Sequence, residues 1–297
     1  MTIPVSTSRD LVLTVLHCGD FNYIAPFVLS LKKSGFRGST VLFVSRVDTG
    51  SIEKLKTLGV IVIPFRFSGK RDRQRLARPW PLWRRLFSTR LPPAAKRRLA
   101  HCVFHLRYRR YLLYLEFLEQ HAADFDRIFI ADCRDVFFQA DPFEWKWKSG
   151  VHFFLEEPSN RIGLCPQNRK WFTRQFGESY LEQHRNRVPT CSGTTYGDIA
   201  NICQYLNAMV TTTMRAHDLS RMPDGDQGIH NHVLIEKLVS NAVVHENRYG
   251  PVMTMYHMKD WQTGADGTVL NENQDLVPVL HQYDWFPALK VRLLSRL

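Results

Sequence analysis

The sequence has 297 residues, of which 44% are hydrophobic and 23% charged, and a formal net charge of +12. This balance excludes a disordered chain, a collagen-like chain and a small disulfide-stapled domain. The six cysteines are scattered without a Cys-x-x-Cys pair, which predicts reduced thiols rather than a zinc site. No apolar run approaches the roughly 18–20 residues of a spanning helix, and the N-terminus lacks the order of a signal peptide, so we expect a cytosolic protein.

The first part of the chain predicts alternating strands and helices. Strands are expected from Leu11, over 40–45 and over 60–65, because each is an almost continuous apolar run. Helices are expected over 25–35 and over 51–58, the second with Ser51 as its N-cap. This βαβαβ pattern predicts an α/β, Rossmann-like fold with a central, mostly parallel sheet flanked by helices. Ligands of such sheets bind beyond the carboxyl ends of the strands.

Two carboxylates follow the next predicted strand. The pattern indicates a helix over 107–123, a strand over 126–132 and another strand over 151–157. Asp132 and Asp135 therefore lie at the edge where ligands bind. Carboxylates in this position are candidate ligands of Mg²⁺ or Mn²⁺, which would bind the phosphates of a nucleotide. The alternative is an ordinary pair of turn carboxylates.

Four segments, in this order, resemble the glycosyltransferase-A (GT-A) superfamily, nearest to retaining glycogenin-like and lipopolysaccharide galactosyltransferase-like members. The sequence DCRD at 132–135 resembles the DxD motif, and CSGTTYG at 191–197 resembles the (N)(A/S)G segment. The sequence DGDQGIHN at 224–231 resembles the DQ…N motif, and HQYDW at 281–285 resembles the C-terminal histidine motif. The chain departs from the family at Arg134, which stands where the second acid of DxD would be. Its C-terminal histidine motif also lacks the family's HxxGxxKPW form.

The resemblance implies one GT-A catalytic domain over 1–297. Residues 10–145 would form the nucleotide-binding half, with a basic insertion at 68–105, and 146–297 the sugar and acceptor half, with a small C-terminal subregion. The implied function is metal-dependent transfer of a sugar from a nucleotide-diphosphate donor to a glycan or lipid-linked acceptor, and UDP-hexose is the first candidate donor.

The resemblance also implies a metal site made by Asp132, Asp135 and His281, for Mn²⁺ or Mg²⁺. Asp135 is the expected metal ligand, and Asp132 is either a second ligand or a partner of the ribose hydroxyls. His281 follows the apolar run LVPVL, so a strand would bring it to the rim of the same sheet; the alternative is a strand-end histidine with an ordinary hydrogen bond. Gln282 would help to close the tail over the donor.

On the sugar side, the resemblance makes Asp226 and Gln227 the catalytic pair, with Asp226 bonding sugar hydroxyls and Gln227 facing the anomeric carbon. Ser192 and Gly193 would line the sugar pocket, although an ordinary turn is the alternative. Asn231, four residues after Gln227, would share one side of a helix that begins near Asp226 and would also contact the donor.

Several arginines are candidate partners for the diphosphate, because guanidinium groups pair with phosphate oxygens. Arg134 lies within the carboxylate motif, and Arg107, Arg109 and Arg110 lie on the helix before it. For the three helical arginines a solvated helix face is the alternative.

The positive charge is concentrated in residues 70–110, which hold 14 Lys and Arg against one acid, Asp72. Arginines here alternate with Trp80, Leu82, Trp83, Leu86 and Phe87, a composition typical of segments that contact an anionic lipid surface. We therefore expect contact with a membrane or an anionic acceptor, assisted by 289–297, and peripheral attachment on the inner face. An ordered acceptor loop and a disordered arm are alternatives, and no nucleic-acid-binding signature accompanies the arginines.

Two other functions are compatible with the sequence. The first is an inverting glycosyltransferase in which Asp226, Glu156 or Glu157 is the general base. The second is a non-catalytic module that binds RNA or a membrane through its basic segment, since a fold does not determine a function.

Overall fold

A computed structural model describes residues 8–67, 79–220 and 222–297. Its central sheet has seven strands: β1 (Asp10–His17), β2 (Ser39–Ser45), β3 (Ile61–Pro64), β4 (Arg127–Ala131), β6 (Val151–Phe154), β7 (Thr194–Asp198) and β8 (Ala242–His245). They are ordered β3-β2-β1-β4-β7-β6-β8, and β7 is antiparallel to both of its neighbours whereas the other pairings are parallel. The expected α/β fold with a mostly parallel central sheet is confirmed.

Helices cover this sheet. They are α1 (Phe21–Lys33), α2 (Thr49–Thr57), α3 (Trp80–Phe87), α4 (Pro93–Val103), α5 (Leu106–His121), α6 (Pro166–Phe176), α7 (Glu178–His184), α8 (Ile199–Arg215), α9 (Asp226–Ile235) and α10 (Pro287–Leu294). One core packs α3, α4, α5 and α8 against the sheet, and a second includes α1 and α2. No helix in the described ranges has the length and apolar character needed to cross a bilayer.

The first two helices begin earlier than predicted, because an aspartate caps each of them. Asp20 accepts a hydrogen bond from the backbone of Tyr23, and Asp48 accepts one from the backbone of Ser51. The predicted N-cap role of Ser51 is therefore wrong. Its hydroxyl lies inside α2 and instead accepts a hydrogen bond from the Phe21 backbone at 2.8 Å, which joins the starts of the two helices.

The strand order reverses direction between β1 and β4, and this point determines where a crevice forms at the carboxyl ends of the strands. The chain builds outward from β1 through β2 to β3 and then returns to add β4 on the other side of β1. The loops that follow β1 and β4 consequently diverge and leave a crevice, which is where ligands bind in open α/β sheets. Asp132 is the first residue after β4.

A second, three-stranded sheet lies beside this edge. It consists of β5 (Val136–Phe138), β12 (Val279–His281) and β9 (Val252–Thr254), in the order β5-β12-β9. Two short strands between β9 and β12, β10 (Gln262–Thr263) and β11 (Val269–Leu270), pair with each other. His281 is the last residue of β12, so its predicted position on the rim of the central sheet is wrong. The antiparallel pairing of His281 with Val136 nevertheless brings it to the loop that carries Asp132 and Asp135.

The part of the basic insertion that the structure describes forms α3 and α4, whereas 68–78 lies outside the described residues. Trp80 is 1% exposed and Phe87 is 4% exposed, and both rings pack against Phe104. The Trp80 indole also donates to the carbonyl of Ala216 at 2.8 Å. These two aromatic residues hold the insertion to the core, so the expectation that they would contact lipid is wrong. Leu82 is 54% exposed.

Candidate functional site

A cavity of about 390 Å³ lies at the crevice between the ends of β1 and β4. Its lining comes from the end of β1, from α5 and from the loops that follow β4 and β12, and includes His17, Arg107, Arg110, the segment 132–135 and Gln282. Three partly exposed aromatic residues complete it: Tyr23, Tyr256 and Trp285. The cavity therefore combines acidic, basic and aromatic groups at the edge where the fold favours a ligand.

Asp132, Asp135 and His281 form a potential metal site beside this cavity. One ligand atom from each residue lies within 4.8 Å of the others. Asp135 Oδ1 and His281 Nε2 are 3.7 Å apart, and both are buried atoms without a hydrogen-bond partner in the described structure. Unpartnered buried polar atoms are costly, and a shared ion is one way to satisfy them.

Gly193 leaves room for this group. A Cβ at this position would lie 2.4 Å from His281 Nε2 and 3.2 Å from Asp132 Oδ2. Backbone hydrogen bonds fix the surrounding loops, since Asp132 N donates to Gly193 O at 2.8 Å and Gln282 N donates to Asp135 O at 2.6 Å. Two carboxylates offer the oxygen ligands that Mn²⁺ and Mg²⁺ prefer, and an imidazole suits Mn²⁺ better than Mg²⁺, so these residues could hold Mn²⁺, one of the two ions that the resemblance implies.

Arg110 connects this group to the predicted sugar-facing residues. Its guanidinium forms a salt bridge with Asp132, and its Nη2 donates to Asp226 Oδ2 at 2.7 Å and to Ser192 O at 2.9 Å. Arg110 is 4% exposed and Arg109 is 8% exposed, whereas Arg107 is exposed and lines the cavity. Among these three, a solvated helix face is therefore compatible only with Arg107, which also lines the cavity. It is wrong for the other two because α5 is packed on nearly every side.

The two acids that share Arg110 have opposite pKa shifts. Burial opposes the ionisation of Asp132, but the positive charges of Arg110 and Arg107 outweigh it and lower its pKa. Burial raises the pKa of Asp226 and prevails over the same two arginines. Asp226 Oδ2 also accepts hydrogen bonds from the Tyr111 hydroxyl at 3.2 Å and the Ser192 hydroxyl at 3.4 Å.

Gln227 follows Asp226 in the first turn of α9 and is partly exposed. Its Nε2 donates to Glu156 Oε1 at 2.9 Å and to Asn168 Oδ1 at 3.1 Å. Glu156 is 6% exposed, and burial raises its pKa to about 7. Because β6 ends at Phe154 and not at residue 157 as predicted, Glu156 lies in the loop beyond the strand.

The predicted donor contact Asn231 is directed at the protein backbone instead. Its Oδ1 accepts from Thr190 N at 2.8 Å and Thr190 Oγ1 at 3.1 Å. Its Nδ2 donates to Thr190 O at 2.9 Å and Gln227 O at 2.8 Å. Asn231 thus joins the loop that carries Ser192 and Gly193 to the start of α9.

The remaining predicted residues border the cavity. Arg134 has a side chain that is 47% exposed and donates to Asp135 Oδ2. Gln282 lines the cavity and adopts the left-handed backbone conformation, with φ of 58°. This turn follows His281 and directs the chain away from β12.

The structure therefore brings the predicted residues of all four motifs to one edge of the sheet. Sequence reasoning missed two connections. The first is the central place of Arg110, which the local sequence does not indicate, because α5 begins with three arginines in four positions and the partners of Arg110 come from other elements. The second is the contact of Gln227 with Glu156 and Asn168, for which no local sequence signal exists, because the partners are 71 and 59 residues away.

No protein-family model matches the sequence, and no curated protein matches it significantly.

Proposed function

We propose that the protein is a metal-dependent glycosyltransferase of the GT-A type. It transfers a sugar from a nucleotide-diphosphate donor, for which UDP-hexose is the first candidate, to a glycan or lipid-linked acceptor. The observation that carries the proposal is the group Asp132, Asp135 and His281, with two unpartnered buried ligand atoms, at the crevice beyond β1 and β4. Its place at the switch point of the sheet order is where a nucleotide would be expected. The four-part resemblance in the sequence supports the same assignment.

In this proposal Asp132, Asp135 and His281 hold Mn²⁺ or Mg²⁺, which neutralises charge on the diphosphate when bound. Arg107 lines the cavity, and the exposed Arg134 borders it, so both can reach phosphate oxygens. Arg110 is already bonded to Asp132 and Asp226. Its part is to keep the two carboxylates close to each other despite their like charges.

We place the sugar beside Asp226, Gln227 and the loop at 192–193. The bond between the anomeric carbon and the diphosphate oxygen breaks, and the acceptor hydroxyl oxygen forms the new bond to that carbon. The hydroxyl proton passes to the departing diphosphate oxygen. Gln227 is a poor nucleophile, so we infer a short-lived ion pair and retention of configuration.

The inverting alternative needs a carboxylate that can accept a proton from the acceptor. Glu156 is buried, and its oxygens accept hydrogen bonds from Gln227 and Asn160. Glu157 is paired with Arg248, and Asp226 with Arg110. Each candidate base is therefore already bonded to protein, which favours the retaining reaction. The anomeric configuration of the product, measured by NMR, distinguishes the two.

The test is calorimetric titration of UDP into the protein with and without Mn²⁺. We expect binding that requires Mn²⁺ and is lost in Asp135→Ala, whereas Glu144→Gln, which removes an exposed carboxylate, binds as the unaltered protein does. If Asp132→Ala loses binding and Asp135→Ala does not, the metal role belongs to Asp132. Absence of binding under both conditions would contradict the proposal and favour a non-catalytic module, which salt-sensitive RNA binding would then identify.

A further inference from the structure

The side-chain amide of Gln227 is fixed by two acceptors. Nε2 lies 2.9 Å from Glu156 Oε1 and 3.1 Å from Asn168 Oδ1, so both of its hydrogens are used. Among the described residues, Oε1 of this amide accepts no hydrogen bond. An amide oxygen such as Asn168 Oδ1 can only accept, and a carboxyl group has an accepting oxygen whether or not it is protonated, so the atom of Gln227 that can bond both residues is the nitrogen. The amide oxygen is consequently the atom left for a ligand.

Both acceptors are themselves rigidly held. Asn168 is 1% exposed and belongs to α6, whose Gln175 also bonds the backbone of Gly225 just before α9. Glu156 is 6% exposed, and its second oxygen accepts a hydrogen bond from Asn160. Rotation of the Gln227 amide would place its oxygen against two acceptors, which is unfavourable in a buried site.

We propose that Glu156 and Asn168 are positioning residues that present the Gln227 amide oxygen, rather than its nitrogen, to the donor sugar. This inference rests on the proposed function. An amide oxygen carries partial negative charge, which stabilises the positive charge that develops at the anomeric carbon as the diphosphate departs. The NH₂ group carries partial positive charge and would oppose it. The two acceptors thereby determine which end of the dipole meets the reacting carbon, without contacting the sugar themselves.

The experiment measures Mn²⁺-dependent hydrolysis of UDP-glucose and UDP-galactose, for which no acceptor has to be known. Asn168→Leu removes one acceptor, and we expect its kcat to fall about tenfold or more with KM for the donor changed by less than about twofold. Asn168→Asp keeps an acceptor and should retain most of the activity. Gln167→Leu, which alters the exposed neighbour on α6, is the matched control and should behave as the unaltered protein.

Glu156→Gln is the second variant, because it replaces an acceptor oxygen by a donor nitrogen with little change in shape. The one remaining oxygen can accept from Gln227 or from Asn160 but not from both, and kcat should fall at unchanged UDP affinity to the extent that the Gln227 amide is the one that rotates. Unchanged kcat in both Asn168→Leu and Glu156→Gln would overturn the inference. A fall of kcat in step with weaker UDP binding and a lower Tm would also overturn it, because that pattern indicates a purely structural role. If the unaltered protein neither binds UDP with Mn²⁺ nor hydrolyses these donors, the proposed function itself fails.

Discussion

Arg110 and Asp226 form an ion pair that is almost inaccessible to solvent. Arg110 Nη2 lies 2.7 Å from Asp226 Oδ2, and the two side chains are 5% and 2% exposed. The same guanidinium also pairs with Asp132, the acid that follows β4. One arginine thereby joins the potential metal site to the start of α9, so the two parts of the proposed active site form one electrostatic unit.

Removal of Arg110 should lower the stability of the folded protein considerably. Arg110→Ala leaves two carboxylates without their shared cation, one of them fully buried, and we expect the free energy of unfolding to fall by about 3–5 kcal/mol. Urea unfolding monitored by circular dichroism measures this change. Gln120→Ala, at an exposed position of the same helix, should lower stability by no more than about 0.5 kcal/mol. Equal effects of the two substitutions would show that the ion pair does not stabilise the fold.

The space beside His281 gives a second prediction. Gly193 does not have a positive φ, so alanine suits its backbone, but the added Cβ would lie 2.4 Å from His281 Nε2. We expect Gly193→Ala to weaken Mn²⁺ binding about 10- to 100-fold, because the ring must move from the position it shares with Asp135. Electron paramagnetic resonance of free Mn²⁺ measures the affinity. Gly50→Ala, where a Cβ meets only Asp48 Oδ1 at 3.3 Å, is the control. Undiminished affinity in Gly193→Ala would remove His281 from the metal site.

The sequence predicts five of the seven strands of the central sheet because they are nearly continuous apolar runs, and the ends of β4 differ by only one residue from the prediction. It misses β7, whose residues Thr194–Asp198 are largely polar, and the short edge strand β8. It fails where distant residues decide the structure. His281 pairs with Val136, which is 145 residues earlier in the chain, and this pairing rather than the local apolar run assigns β12 to the second sheet. Arg110 has the local appearance of an exposed helical arginine, and its burial depends on Asp132 and Asp226 being brought to it by other elements.

The buried Glu156 gives a prediction for the pH dependence of stability. Burial raises its pKa from 4.5 to about 7 in the folded protein. Between these values the folded state keeps the proton that the unfolded state releases, so this group's contribution to stability falls as the pH rises. The expected loss is of the order of 3 kcal/mol between pH 4.5 and a pH above 7.

Glu156→Gln removes this titration and leaves all others in place. The free energy of unfolding of the variant, minus that of the unaltered protein, should therefore increase as the pH is raised from 5 to 8. Urea unfolding at four pH values in this interval measures the difference. A difference that does not change with pH would mean that Glu156 ionises normally in the folded state.

Asn231 supplies a prediction about stability and not about donor binding. Replacing it with leucine leaves the backbone N and O of the fully buried Thr190 without their partner. We expect a loss of about 3 kcal/mol in the free energy of unfolding, because each buried unsatisfied group costs about 1–3 kcal/mol. Asn273→Leu, at an exposed position, is the control. An unaltered stability with weakened donor binding would restore Asn231 as a donor contact.

The exposed face of α3 and the turn after it carry Arg84, Arg85 and Arg90, and residues 79–110 hold nine Lys and Arg without an acid. With Trp80 and Phe87 buried, attraction to a membrane must come chiefly from charge. We therefore expect binding to vesicles that contain phosphatidylserine, but not to neutral vesicles, and a loss of binding as salt is raised.

Replacing the three arginines with glutamine should weaken co-sedimentation strongly, since each contributes about 1 kcal/mol near the surface. The same change at the exposed Lys146, Lys148 and Lys237 removes equal charge elsewhere. If both triple variants lose binding equally, the attraction is one of net charge, and α3 is not the attachment surface.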